Sequence, residues 1–233
     1  MLELLKTNEA LFFESIAIYL AFVLIIYRLF GKNGLYVFTA FATIMANVQV
    51  CKSIDLFGFS ATGGNELYAA SFLVTDILSE RYGKKSAQKA VYIGLCVTLL
   101  WLTGTQLTVL FTPNESDMVN DGMKQLFALA PRVCIASFVA YAISQTVDVT
   151  LYHKIWDKSG NTRKFLWLRN NGSTLTSQLV DSVVFTTIAF IGQYPTDVFI
   201  SIVVTTYLLK AIVALLDTPF MYAARKVKPI RED

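Results

Sequence analysis

Long apolar runs broken by short polar ones set the pattern of this 233-residue chain. A bilayer core about 30 Å thick needs roughly 20 apolar residues of helix at 1.5 Å per residue. Runs near 11–29, 34–51, 88–111, 125–152, 173–193 and 197–221 meet that length, so each predicts a membrane-spanning helix. A further stretch, 66–79 (ELYAASFLVTDILS), is apolar but short and carries Asp76. It predicts either one more span or a half-helix buried among the others. Ahead of it, 52–65 (KSIDLFGFSATGGN) is rich in turn formers and predicts a hairpin or loop. The longest hydrophilic stretch, 153–172, predicts a connection before the last two spans, too short to be a domain. The pattern as a whole predicts an all-α polytopic bundle of six to seven transmembrane helices, with residues 1–233 forming a single transmembrane domain.

Composition agrees, with 55% hydrophobic residues, 16% charged residues and a mean hydropathy of +0.52, values that call for lipid around the chain. A formal net charge of +3 is too small to point to a nucleic-acid partner. The placement of the charges says more. If all the stretches cross, one side collects Arg28 and Lys32, then Arg81, Lys84, Lys85 and Lys89. It also collects Lys154, Lys158, Arg163, Lys164 and Arg169, then Arg225, Lys226, Lys228 and Arg231. The other side keeps Lys6, Lys52 and Lys124 beside Glu3, Glu9, Asp55, Glu115, Asp117, Asp121 and Asp197. Because cytoplasmic loops carry the excess of Lys and Arg, the bias predicts an outer N-terminus, a cytoplasmic C-terminus and a crossing by 66–79. Residues 1–14 carry Glu3, Lys6, Glu9 and Glu14 rather than a basic leader, so the first span is expected to persist in the mature chain.

Several chemistries are unsupported. Cys51, Cys96 and Cys134 are isolated in or beside apolar runs and read as packing residues. The only histidine, His153, has no second imidazole with which to share a metal and reads as interfacial. No GxxxxGK[ST] loop is present, and a Ser-His-Asp set is hard to build with His153 at the membrane edge. The expectation is a transporter that is not an enzyme, with no metal and no cofactor.

Ionisable groups at membrane depth are costly and usually mark a cavity or pathway. Here they are Asp76, Asp148, Asp181 and Asp217, with Glu80 at a span end. Ser144-Gln145-Thr146-Val147-Asp148 and Ser177-Gln178-Leu179-Val180-Asp181 form a near-repeat. In each, Gln lies three and Ser four residues before Asp, which places all three side chains on one helical face. Gln145 and Gln178 should reach the same layer near the midplane on helices of opposite direction, a small inverted repeat of the kind that brackets a transport site. Asp76 and Glu80 share a face as i and i+4 residues, although Glu80 could equally be an interfacial carboxylate paired with Arg81 or Lys84. Asn47 reads either as a site ligand or as interhelical glue. Asp217, just before Thr218 and Pro219, reads as a cap or kink residue and is left outside the site. Arg132 reads as snorkelling to the headgroups. Small-residue pairs Ala17/Ala21 and Ala42/Ala46 offer faces for helix packing or for docking of a separate subunit.

Thr75-Asp76-Ile77-Leu78-Ser79-Glu80-Arg81-Tyr82-Gly83-Lys84-Lys85 resembles the T-D-[IL]-x-[ST]-E-x-Y-G-K-[KR] signature of the queuosine precursor transporter family, also called vitamin-uptake transporters. Arg169-Asn170, Ser173-Thr174, Ser177-Gln178 and Asp181 are similar to its second signature, and Ser144-Gln145 with Asp148 adds to the match. The resemblance implies a bacterial inner-membrane importer of 7-cyano-7-deazaguanine and 7-aminomethyl-7-deazaguanine, purine-like bases salvaged for tRNA modification. It implies a bundle similar to the substrate-binding subunits of energy-coupling-factor transporters, usually working without the ATPase module. The alternative is a vitamin-like substrate-binding subunit that needs such energy-coupling subunits, and a homo-oligomer is also open.

A deazaguanine edge presents adjacent N–H donors and a carbonyl, which a carboxylate and an amide complement. Asp181 or Asp148 with Gln178 or Gln145 would supply that pair, and Trp101, Phe72 or Tyr68 could stack on the ring. Asp76 and Glu80 would serve a substrate amine or the coupling of the gates. The expected substrate-binding set is Asn47, Asp76, Glu80, Gln145, Asp148, Asn170, Ser177, Gln178 and Asp181.

Overall fold

The computed structural model describes residues 7–128, 130–159, 165–192 and 196–230. Of the charges weighed above, Glu3, Lys6, Arg163, Lys164 and Arg231 lie outside the described residues, as does the side chain of Asp197. The chain forms an all-α bundle with one small hairpin. Its helices are α1 (Asn8–Gln49), α2 (Asn65–Tyr82), α3 (Lys84–Leu110), α4 (Asn120–Ala128), α5 (Ala130–Ser159), α6 (Leu166–Phe190) and α7 (Thr196–Lys226). Strands β1 (Ser53–Leu56) and β2 (Phe59–Thr62) pair antiparallel between α1 and α2, with Leu56 opposite Phe59.

The first two predicted spans are the two arms of α1, 8–30 and 32–49. A straight helix would hold Tyr19 and Gln49 about 45 Å apart at 1.5 Å per residue, yet Gln49 Nε2 donates to the Tyr19 hydroxyl over 3.1 Å. The chain therefore folds back at Gly31, whose φ of 55° and ψ of −136° leave the helical region. That conformation is open to glycine and strained for any residue with a Cβ. Gly83, with φ at 80°, makes the equally short link between α2 and α3.

Among the described residues, α1, α3, α5 and α7 contain stretches long and apolar enough to cross a membrane. The stretch 66–79 becomes a full helix, α2, and its side chains from Ala69 to Ser79 are all buried. A helix enclosed on all sides needs no apolar stripe, so its polar residues face other helices rather than lipid. Two boundaries differ from expectation. The run 125–152 divides into α4 and α5, and the hydrophilic stretch 153–172 is mostly helix, since α5 continues to Ser159 and α6 starts at Leu166. Arg169 and Asn170, taken for loop residues by their polarity, are fully buried inside the bundle.

The hairpin marks one end of the molecule. Asn8 Nδ2 donates to the Asp55 carbonyl (2.9 Å), and the Phe57 amide donates to Glu9 Oε1 (3.0 Å), tying it to the start of α1. The Gly31 turn, the α2–α3 link and the end of α7 lie at the opposite end. There the Ile230 amide donates to the Arg28 carbonyl (2.7 Å), and Arg81 reaches the carbonyls of Arg225 and Val227. Of the basic residues predicted to share one side, Arg28, Arg81 and Arg225 are thus brought to this opposite end.

Candidate functional site

The two halves of the SQxxD near-repeat meet. Ser144 Oγ on α5 donates to Asp181 Oδ1 on α6 (3.0 Å), and Ser177 Oγ on α6 donates to Asp148 Oδ1 on α5 (3.0 Å). Each serine serves the other helix's carboxylate. All four side chains are buried. The repeat is therefore a built feature of the α5–α6 interface.

Toward the hairpin end, this interface borders a partly open cleft. Ala42, Asn47, Gly64, Tyr68, Tyr141 and Phe185 contribute to its wall, and its charged lining residues are Asp181 and Lys210. Asp181 is heavily solvated by protein groups. Its Oδ1 accepts from Tyr68 Oη (2.6 Å) and Ser144 Oγ, while Lys210 Nζ donates to Oδ2. The Lys210 ammonium also lies 4.8 Å from the centre of the Tyr68 ring. Both charges are almost wholly enclosed, so each neutralises what would otherwise be a costly buried ion.

Asn47 and Asp181 are the predicted site residues that line this cleft. Asn47 is held by its amide, which donates to the Thr43 carbonyl (2.8 Å). The other predicted residues form a buried polar column beneath it. Gln145 Nε2 donates to Ser71 Oγ (3.3 Å), a wall residue of the cleft, and its Oε1 accepts from Thr75 (3.3 Å). Gln178 is fully buried with neither amide atom bonded. One layer down, Thr174 Oγ1 donates to Asp76 Oδ2 (3.2 Å) beside the Asp148–Ser177 pair. Below that, Asn170 Nδ2 donates to Asp217 Oδ1 (2.7 Å).

The column ends at Glu80. Arg169 Nη2 donates to both Glu80 oxygens (3.0 and 2.9 Å), Tyr152 Oη donates to Oε2 (2.7 Å), and Arg225 Nη1 lies 3.6 Å from Oε1. Glu80 is thus buried, and its principal ion-pair partner is Arg169 rather than Arg81 or Lys84. This cluster joins α2, α5, α6 and α7 and closes the end of the bundle opposite the cleft.

A family described as "Putative vitamin uptake transporter" matches residues 62–224, a stretch that holds α2, the reciprocal serine–aspartate pairs and the Glu80 cluster. The chain belongs to this family. A "Probable queuosine precursor transporter" of Bacillus subtilis is 44% identical over 223 residues, covering 95% of this chain and 96% of the relative. A "Queuosine precursor transporter" of Escherichia coli is 26% identical over 145 residues, covering 62% of each. A "Probable queuosine precursor transporter" of Haemophilus influenzae is 25% identical over 134 residues, 58% of this chain and 54% of the relative. No solved structure matches. As a member of a transporter family it is a membrane protein that handles a small-molecule substrate.

Three buried polar residues of these layers, Lys210, Asp217 and Arg169, fall outside the expected set. Lys210 lies among Leu209, Ala211 and Ile212, and a lone cation in a membrane span requires an anionic partner; that requirement would have paired it with an aspartate. Asp217 neither caps nor ends α7, which continues through Pro219, but faces Asn170. Arg169 looked like a loop charge. Of the aromatics proposed for stacking, Tyr68 lines the cleft, whereas Phe72 packs against its ring at 5.8 Å and Trp101 packs against Phe127. Arg132 is exposed and donates to the carbonyls of Ile188 and Ile191 at the end of α6.

One further position shapes the cleft without touching Asp181. A Cβ at Gly94 on α3 would come within 2.2 Å of the Tyr141 hydroxyl. Gly94→Ala must therefore displace the Tyr141 ring, which is a wall of the cleft. The expected result is a several-fold higher KM for uptake at unchanged membrane level, read from concentration-dependent import.

Proposed function

We propose that this chain imports queuosine precursors, 7-cyano-7-deazaguanine and 7-aminomethyl-7-deazaguanine, across a bacterial inner membrane for tRNA modification salvage. The observation that carries the reading is the carboxylate of Asp181 at the inner wall of the cleft, beside the Tyr68 ring. A carboxylate offers about four acceptor positions, and Tyr68, Ser144 and Lys210 occupy three. A base whose adjacent N–H groups approach Asp181 uses the remaining position and the one that Tyr68 can release, while the ring stacks on an aromatic wall residue. Asn47 supplies an amide for the carbonyl. In this reading Asp181 and Asn47 contact the substrate, and Asp76, Glu80, Gln145, Asp148, Asn170, Ser177 and Gln178 form the layers beneath it.

The hairpin end faces outward and the C-terminus is cytoplasmic, in keeping with the basic residues collected at the Glu80 end. The arrangement is then an outward-facing one, open at the cleft and closed at Glu80. The chain acts as one transport domain, without an ATPase and without catalysing a reaction. The test measures queuosine in tRNA of cells that can neither make nor import its precursors, with and without this chain, while each base is supplied. The chain is expected to restore queuosine with at least one base in a host lacking energy-coupling subunits. No restoration by either base sinks the substrate assignment.

A further inference from the structure

Beneath the cleft, the carboxyls of Asp76 on α2, Asp148 on α5 and Asp217 on α7 are all fully buried. Thr174, which donates to Asp76, and Ser177, which donates to Asp148, lie one turn apart on α6, so the carboxyls of Asp76 and Asp148 share one layer of the bundle, with the Asn170–Asp217 bond a turn further on. Each carboxyl has one oxygen with a donor: Asp76 Oδ2 from Thr174, Asp148 Oδ1 from Ser177 and Asp217 Oδ1 from Asn170. The other oxygen of each has none. Asn170 Oδ1, on the fully buried amide whose Nδ2 holds Asp217, is a fourth orphan. The site thus presents four buried acceptors without a donor among the described residues.

Acceptors cannot satisfy one another, and neighbouring carboxylates cannot both stay ionised when enclosed. The surrounding charges do not resolve this. No ammonium or guanidinium lies within ion-pair distance of Asp76, Asp148 or Asp217 among the described residues. Toward the closed end, Glu80 on α2 pairs with Arg169 on α6, and the Tyr152 hydroxyl on α5 donates to Glu80. Toward the cleft, Asp181 on α6 is paired with Lys210 on α7. Tyr27 on α1 accepts from Arg81, and Lys89 on α3 lies over the Tyr36 ring. Among the described residues no group of three His, Cys, Asp or Glu forms a metal cage.

We propose that Asp76 and Asp148 share one proton, and that this proton is the ion whose movement down its gradient drives uptake of the base. With the proton in place, the contact is an O–H···O⁻ hydrogen bond between α2 and α5. When it leaves, two carboxylates face each other and push those helices apart, so proton binding and release bias two arrangements of the bundle. The proposal rests on the import reading above and supplies its driving force.

The test uses the full chain in proteoliposomes. With one proton per base, an inward pH gradient of one unit drives about tenfold accumulation of the labelled base at most, and a protonophore abolishes it. Asp76→Asn and Asp148→Asn, which mimic the protonated acid, are expected to lose that accumulation while still exchanging labelled for unlabelled base. A second readout needs no substrate. At neutral pH the infrared spectrum should contain a carboxylic-acid carbonyl band that shifts in D₂O and is lost in Asp148→Asn, with Asp76→Asn as the alternative if that variant fails to fold. Accumulation indifferent to the pH gradient, or the absence of that band, overturns the proposal. If the wild-type chain moves neither base, the import reading fails, and the infrared band still decides whether the pair holds a proton.

Discussion

Asp181→Asn is expected to reduce precursor uptake to background while the chain still inserts in the membrane. The substitution leaves the shape of the side chain and removes the charge that Tyr68, Ser144 and Lys210 converge on. It also strands the Lys210 ammonium, and breaking a buried pair from one side costs about 3–5 kcal/mol. A fall in stability alone would therefore be ambiguous. The double variant Asp181→Asn with Lys210→Met removes both charges and is expected to recover most of the lost thermal stability without recovering uptake. Import by the double variant at normal external concentrations would remove Asp181 from the substrate site.

The second large effect lies at the other end of the column. Arg169→Met leaves the Glu80 carboxylate, 3% exposed, without its main partner. Arg225 stands 3.6 Å away and is itself partly exposed, so it compensates little. A loss of about 3–5 kcal/mol is expected, seen as a lower melting temperature in detergent. Glu80→Gln added to Arg169→Met should restore a large part of that loss, since no uncompensated charge remains. Arg169→Lys should do worse than its charge suggests, because one Arg nitrogen reaches both carboxylate oxygens while another part of the same flat group lies 4.7 Å from the centre of the Trp156 ring. Additive losses in the two single variants and the double would show that the pair is not coupled.

Hydropathy alone made most of the bundle legible, because lipid imposes its length on every exposed helix. The apolar faces of α1, α3 and α7 carry that signal directly. It weakens for α2, whose neighbours are other helices, and there the charge bias and the motif around Asp76 and Glu80 had to stand in for it. At the start of α6 it misleads. Arg169 and Asn170 read as loop because polarity in one dimension cannot distinguish water from a partner such as Glu80, which is distant in sequence. The repeated Ser, Gln and Asp spacing did foretell a shared layer, since helical periodicity and antiparallel direction settle which residues can meet. It could not foretell that the serines would cross over. Nor could it tell which residues border open space, and Asp181 and Asn47 do so while Asp148 and Gln178 do not.

The exchanged serine–aspartate bonds have a mechanical consequence. Sliding α5 along α6 by one residue, about 1.5 Å, stretches both bonds together, because Ser144 and Asp148 sit on one helix and their partners Asp181 and Ser177 on the other. The two contacts act as a latch against axial slip, and the pair is stiff along the direction in which cargo must travel. The short glycine links at Gly31 and Gly83 carry no such crossed pair, so α5 and α6 are the part of the bundle built to resist slip.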